Sequence, residues 1–504
     1  MFLTTRLSPV CRRACEIIRP DLTKSPPLVC YSPNWNRTLA YVMAVMVGAL
    51  SAVFLFGIPV QLSDSFTEFS GAAGLTLRQV VESEFQGGPY LRPFRRGLIK
   101  IVFDLSRGHY YLAFRGFQAA EVLVLLILVV RMLRVRMLTE VAAVPLLLAM
   151  VVGAPTFAGA IYEGLPINHF LTILLCVAAA VNLAQARHRL AVDVVAVALF
   201  VFAALTIESG LLLWVVFVAG YAVGYRGVSR EAIVVLTVCV VLYFVGRFVI
   251  LGGEIPSLAE RSTGFGFSVY DPAALVARFG SNPLPFHIYN VISAIACVLF
   301  AEPRGGVWMF IRDVSSGRAE PWQFASVLTS TATSIVIFRY ALWRWPAWRA
   351  RQLDDGDRLV LLFLAILPAN ALFASAYAKD VIMSPAGLLY AAAAYVSFRV
   401  LVPELNRGSV GLSRATAGTL VLLLSVGWTV RFIGAYYNLR LRALSVRNEW
   451  AYYDDWENSQ PIKVQLTAAD IAIKQSLLED AISRAPRAPD VSLGWADRLF
   501  DPLQ

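Results

Sequence analysis

Apolar residues run along this chain in stretches of about 20, the length a helix needs to cross a bilayer. Twelve such stretches stand near 38–60, 115–133, 139–161, 166–185, 190–207, 209–225, 231–251, 284–302, 322–340, 358–377, 382–402 and 412–435. Short polar connections join most of them. The runs are too long for the roughly ten-residue alternating strands of an outer-membrane barrel. The pattern predicts an all-α, polytopic transmembrane helical bundle of about 11–12 spans.

Composition sharpens this picture. The 504 residues are 58% hydrophobic and only 15% charged, with a mean hydropathy of +0.63. An average soluble domain carries about 25% charge, so a soluble enzyme is excluded. The net charge of +10 does not point to nucleic acid, because the Arg residues cluster in short connections between apolar runs, where they orient a protein in the bilayer. The six cysteines, at 11, 15, 30, 176, 239 and 297, contain no C-x-x-C pair and indicate neither a zinc site nor a disulfide framework.

Residues 1–37 carry six basic residues against Glu16 and Asp21 and read as a cytoplasmic N-terminal segment, followed by an uncleaved signal-anchor. Arg131, Arg134 and Arg136, then Arg187 with Arg189, then Arg226 with Arg230, mark alternate connections as cytoplasmic, whereas the turns Tyr162–Glu163–Gly164 and Glu208–Ser209–Gly210 carry no basic residue. The stretch 284–302 breaks the alternation. If it crossed, the connection holding Arg339, Arg344, Arg349 and Arg351 would be exported. Asn282, Pro283 and Pro285 open the stretch, His287, Tyr289 and Asn290 interrupt it, and Pro303, Gly305 and Gly306 follow it, which fits a re-entrant or interfacial element. Eleven crossings then satisfy every connection, with Arg399, Arg407 and Arg414 on the cytoplasmic side. The transmembrane domain is 38–437, with exported loops 61–114 and 252–321. An exported C-terminal segment, 438–504, forms a short cap with a helix near 467–483 opened by Thr467 and Asp470.

Candidate chemistry gathers at the exported face. The first exported loop holds Asp64, Glu68, Glu82, Glu84 and Asp104, then Arg92–Pro93 with Arg95 and Arg96, then an interfacial amphipathic helix over Leu98–Phe114. Glu208 sits at a membrane boundary, where a carboxylate is costly unless paired or in a water-filled cavity. Asn168 and His169 stand at the outer end of the fourth apolar run and His287 in the 284–302 element; Tyr377 and Lys379 belong to a short exported turn with Asp380. Glu121 and Arg247 lie inside or near the ends of apolar runs and should face the bundle interior or reach an interface.

A first exported loop with acidic residues, an Arg-Pro pair and an amphipathic helix leading into the second span resembles the GT-C membrane glycosyltransferases, including their protein-mannosyltransferase and aminoarabinose-transferase branches. The resemblance implies transfer of a sugar from a polyprenyl-phosphate carrier to a lipid, glycan or protein acceptor at the periplasmic face of a bacterial inner membrane. It implies Glu82 or Glu84 as base, Arg92, Arg95, Arg96 and Lys379 as cations for the donor phosphate, and Glu208 as a group orienting the acceptor. Asn168, His169, His287 and Tyr377 are then the candidates for the substrate cavity. The loop carries Glu82–Ser83–Glu84 in place of an adjacent acidic pair, so a divalent cation is left open as cofactor and no metal ligand is assigned. The expected partners are membrane lipid and a polyprenyl-phosphate-linked sugar. The alternatives are a transporter or flippase for a lipid-linked or polar solute, and a non-catalytic protein of envelope polysaccharide assembly. Cysteines introduced at Ser83 and Ser209 are expected to label from the same side of the membrane; labelling from opposite sides would exclude a joint site.

Overall fold

A computed structural model describes residues 33–58, 74–86, 90–153, 169–253, 272–279, 282, 284–301, 306–319, 321–376, 380–405, 419–434 and 436–437, with scattered positions between 467 and 479. The described residues contain helices and no strands. Six helices are long and apolar enough to span a membrane: Asn34–Phe56, Tyr110–Leu133, Arg230–Ile250, Gln323–Arg349, Asp355–Phe373 and Val381–Val400. The fold is an all-α polytopic bundle, and the chain is a multi-pass membrane protein.

In chain order the elements are α1 (Pro33–Phe56), α2 (Leu77–Ser83), α3 (Pro93–Ser106), α4 (Tyr110–Leu133), α5 (Leu138–Ala142), α6 (Val144–Gly153), α7 (His169–Ala184) and α8 (Leu190–Ala204). A 3-10 turn, Glu208–Leu211, leads into α9 (Leu212–Ala222). Next come α10 (Arg230–Phe244), extended by a wider π-type turn over Val245–Ile250, and α11 (Pro272–Phe279). Then follow α12 (Leu284–Ala296), likewise extended over Cys297–Ala301, α13 (Gly306–Ser315), α14 (Pro321–Arg349), α15 (Asp355–Phe373), α16 (Ser384–Leu405) and α17 (Thr419–Gly434).

The centre of the bundle is α16. Every residue of its most apolar window is buried, and it packs against α6, α7, α14 and α15. Four consecutive alanines, Ala391–Ala394, allow that approach from several sides, as small residues do wherever helices pack closely in lipid. At the rim the polarity is inverted relative to a soluble protein. Helix α10 exposes Val234, Val238, Val241 and Leu242, and α17 exposes Leu422, Leu423 and Val426. Apolar faces of this size belong against hydrocarbon.

One end of the bundle gathers the arginines of the short connections. Arg134 pairs with Asp355 at 3.0 Å and donates to the Gln185 carbonyl; Arg399 pairs with Glu140 at 3.0 Å; Arg344 holds the fully buried Asp357, which also accepts from Tyr340 and Trp348. Asp354 caps α15 by accepting from the Asp357 N–H at 2.7 Å, and Asp357 accepts from the Asp354 N–H in return. Arginines of three separate connections, Arg134, Arg344 and Arg399, thus share one Arg-rich end. The Arg344–Asp357 contact also explains why α14 runs to Arg349 rather than stopping near 340: the last turns of the helix are needed to reach that carboxylate.

Helix α12 does not traverse the bundle. It begins at the end opposite the Arg-rich one, where Asn290 donates to the Ser375 carbonyl at 2.8 Å just past α15. It stops beside the middle of α14, where Thr331 and Ser334 donate to the Phe300 and Leu299 carbonyls. Thr331 is about 20 Å along α14 from Arg344 at the usual helical rise. Helix α13 then returns, and Asp313 accepts from Gln323 at 2.8 Å beside the start of α14. The start of α12 and the end of α13 therefore lie at the same end of the bundle. The expected helix over Leu98–Phe114 is instead two, because Arg107 and Gly108 both adopt positive φ and separate α3 from α4.

Close backbone approach sets one sensitive position. A Cβ on Gly227 would lie 2.0 Å from the Leu183 carbonyl oxygen, whereas one on Gly116 in α4 would meet nothing within 4 Å. Gly227→Ala is expected to lower stability by about 2 kcal/mol or more, and Gly116→Ala to raise it by about 0.5–1 kcal/mol through helix propensity. Unfolding midpoints in one detergent measure both.

Candidate functional site

The first loop is fastened to the bundle at the end opposite the Arg belts. Pro93 opens α3, a first-turn position that suits a residue with no N–H to satisfy. The next amide, of Phe94, donates to the Leu205 carbonyl at the end of α8 at 3.2 Å, and the Phe94 ring meets Phe202 at 5.5 Å. This docking brings Arg92 over the turn between α8 and α9.

There Arg92 Nη2 lies 2.6 Å from Glu208 Oε2, and Arg247 Nη1 lies 3.1 Å from Glu208 Oε1. Arg247 comes from the π-type turn that ends α10; such widened turns recur at functional sites. It also donates to the Tyr243 hydroxyl at 3.2 Å. Tyr90 lies under both guanidiniums, with its ring centre 4.1 Å from Arg92 and 5.8 Å from Arg247. Burial pushes the Glu208 carboxyl up, but the charge and hydrogen bond of Arg92, together with Arg247, outweigh it and hold the group below the usual carboxylate range.

Glu84 completes the cluster from the other side. Its Oε2 accepts from the Arg92 backbone N–H at 3.0 Å, and its Oε1 lies 2.9 Å from Arg96 Nε. Arg92 therefore bridges two carboxylates, through its backbone to Glu84 and through its side chain to Glu208. Arg95 stands half-buried on the first turn of α3.

Other sequence candidates lie elsewhere. Glu82 faces solvent and pairs with Arg78 at 2.6 Å along α2, so it does not join Glu84. His169 is buried at the first residue of α7. His287, on α12, has its Nδ1 3.1 Å from the Ser375 carbonyl just past α15. Asn168, Tyr377 and Lys379 lie outside the described residues. Among the described residues no group of three or more His, Cys, Asp or Glu side chains is placed to hold a metal ion.

No protein-family model, curated protein or solved structure matches this chain. The site must be judged on its own geometry. Sequence reasoning did not connect Arg247, Tyr90 or Tyr243 with Glu208, since no local spacing links them; the only signal was a basic residue near the end of an apolar run. It also passed over Arg115 and Gln118. With Glu121 these polar residues recur every third position at the outer end of α4, a pattern unusual for a lipid-facing helix.

Chemically the arrangement offers two carboxylates and three guanidiniums at a membrane boundary. Removing a partner from a buried ion pair leaves an uncompensated charge, which costs about 3–5 kcal/mol; a fifth of the Glu208 side chain is still exposed. Glu208→Gln is therefore expected to cost about 2–4 kcal/mol, with part of the loss recovered when Arg247→Met is added. Glu82→Gln is expected to change stability by less than about 0.5 kcal/mol. Denaturation of the purified variants in micelles checks all three.

Proposed function

We propose that this protein is an integral-membrane glycosyltransferase of the GT-C type, moving a sugar from a polyprenyl-phosphate donor to a lipid, glycan or protein acceptor. The face is the one opposite the Arg-rich end, which the positive-inside rule assigns to the periplasm of a bacterial inner membrane. The observation that supports this reading is the meeting of Glu84, Glu208, Arg92, Arg96 and Arg247 around the docked start of α3. Helix α3 also exposes Ile101 and Leu105, apolar residues suited to a lipid surface from which a polyprenyl chain would approach.

The roles follow from the surroundings of each group. Glu208, clamped between two guanidiniums, is a poor base and serves to hold Arg92 and Arg247 in place. Glu84 pairs with the more exposed Arg96, which an incoming substrate can displace, and Glu84 is assigned as the base. It takes the proton of the acceptor hydroxyl as that oxygen bonds to the anomeric carbon. The bond from that carbon to the donor phosphate breaks with inversion, and the phosphate leaves with its charge met by Arg92, Arg95 and Arg96. Leaving-group charge is the larger demand, so the cations matter as much as the base.

A second reading, transport of a polar or lipid-linked solute, is favoured by the burial of Arg115, Gln118, Glu121, His169 and Thr172 inside the bundle. Proteoliposomes separate the two. With a radiolabelled polyprenyl-phosphate sugar and an acceptor extract, the wild type is expected to form labelled product. Glu84→Gln is expected to lower the rate about 100-fold or more, and Glu82→Gln to leave it near wild type. Label crossing the bilayer without product would favour transport and reject transfer.

A further inference from the structure

Between α4 and α7 lies a polar cluster that the boundary site does not use. Glu121 is buried, and its Oε1 accepts from the Thr172 hydroxyl at 2.6 Å. Its Oε2 has no hydrogen-bond partner. Gln118, one turn away on α4, accepts from the fully buried Arg115 at 2.6 Å, and His169 is buried one turn before Thr172 on α7. The two helices run parallel here, since Thr172 meets Glu121 and, further along both, Asn182 donates to the Leu128 carbonyl. A buried carboxyl oxygen left unbonded is costly, and ionisable residues within a membrane bundle face ligands or pathways.

We propose that this α4–α7 cluster is a second polar subsite, which receives the hydroxyl groups of a sugar head with Glu121 Oε2 as a ligand to one of them. The inference deepens the transfer reading and rests on it for the sugar. A hydroxyl both donates and accepts, so it satisfies Oε2 whether the carboxyl is charged or neutral. A cationic amine would serve only the charged form, and Arg115, about 9 Å along the same helix at the usual rise, already places a cation in this buried cluster. Gln118 and Thr172 supply the further neutral donors and acceptors that a polyhydroxylated ring needs.

The test is protection of Glu121 from a hydrophobic carbodiimide, with labelling rates read by peptide mass spectrometry on the full chain in lipid nanodiscs. The probes are dodecyl glycosides of glucose, galactose and mannose, the three free hexoses, and dodecanol as a chain-only control. At least one glycoside or hexose is expected to slow labelling about tenfold at ten times its dissociation constant, with E121Q unlabelled at that position. Protection by glycosides alone indicates a lipid-linked sugar, and equal protection by free hexoses a soluble one. The proposal is overturned if Glu121 is not labelled, if no sugar protects it, or if dodecanol protects as well as the glycosides. Protection in a protein that forms no transfer product would remove the transferase reading and leave the subsite; transfer without protection would do the reverse.

Discussion

A carboxylate at the edge of a bilayer must bring its own counter-charges, and Glu208 brings two from distant parts of the chain. Arg92 arrives from the first loop and Arg247 from the end of α10. Because both close on one side chain, the loop, the α8–α9 turn and the π-type turn of α10 are fixed relative to each other. Tyr90 adds an aromatic face beneath both cations, and Glu84 locks the backbone that presents Arg92. Any chemistry at this end of the bundle inherits its geometry from that clamp.

The opposite end is governed by the same physics with a different outcome. Asp357 is fully buried, yet Arg344, Tyr340, Trp348 and the Asp354 amide all donate to it. Such a satisfied network fixes the α14–α15 corner and leaves no oxygen for a ligand. At the Arg-rich end the buried acid Asp357 is fully satisfied, whereas at the other end a fifth of the Glu208 side chain and about two fifths of the Arg96 side chain stay exposed.

Between the ends, α16 supplies a small-residue axis and the hairpin of α12 and α13 fills one flank without crossing. The hairpin resolves the conflict in charge alternation that its own sequence creates. Ser334 and Thr331 on α14 meet the Leu299 and Phe300 carbonyls that the π-type end of α12 leaves over. Irregular backbone survives at that depth because protein covers it.

The sequence by itself determined the helical class, the approximate positions of the apolar helices and the grouping of Arg134, Arg344 and Arg399 at one end, because length, hydropathy and charge alternation are one-dimensional properties that a bilayer reads directly. It also singled out Glu84, Arg92 and Glu208, since acidic and basic residues at membrane boundaries stand out against an apolar background. Only the tertiary structure decided which of these residues meet. Glu82 and Glu84 are two positions apart, and the end of α2 sends one to solvent and the other to Arg92 and Arg96. Arg247 gained its partner from a turn 39 residues earlier, and Glu121 met Thr172 across a helix pair. Such pairings depend on how helices rotate and dock, which is set by packing over the whole bundle rather than by any local run of residues.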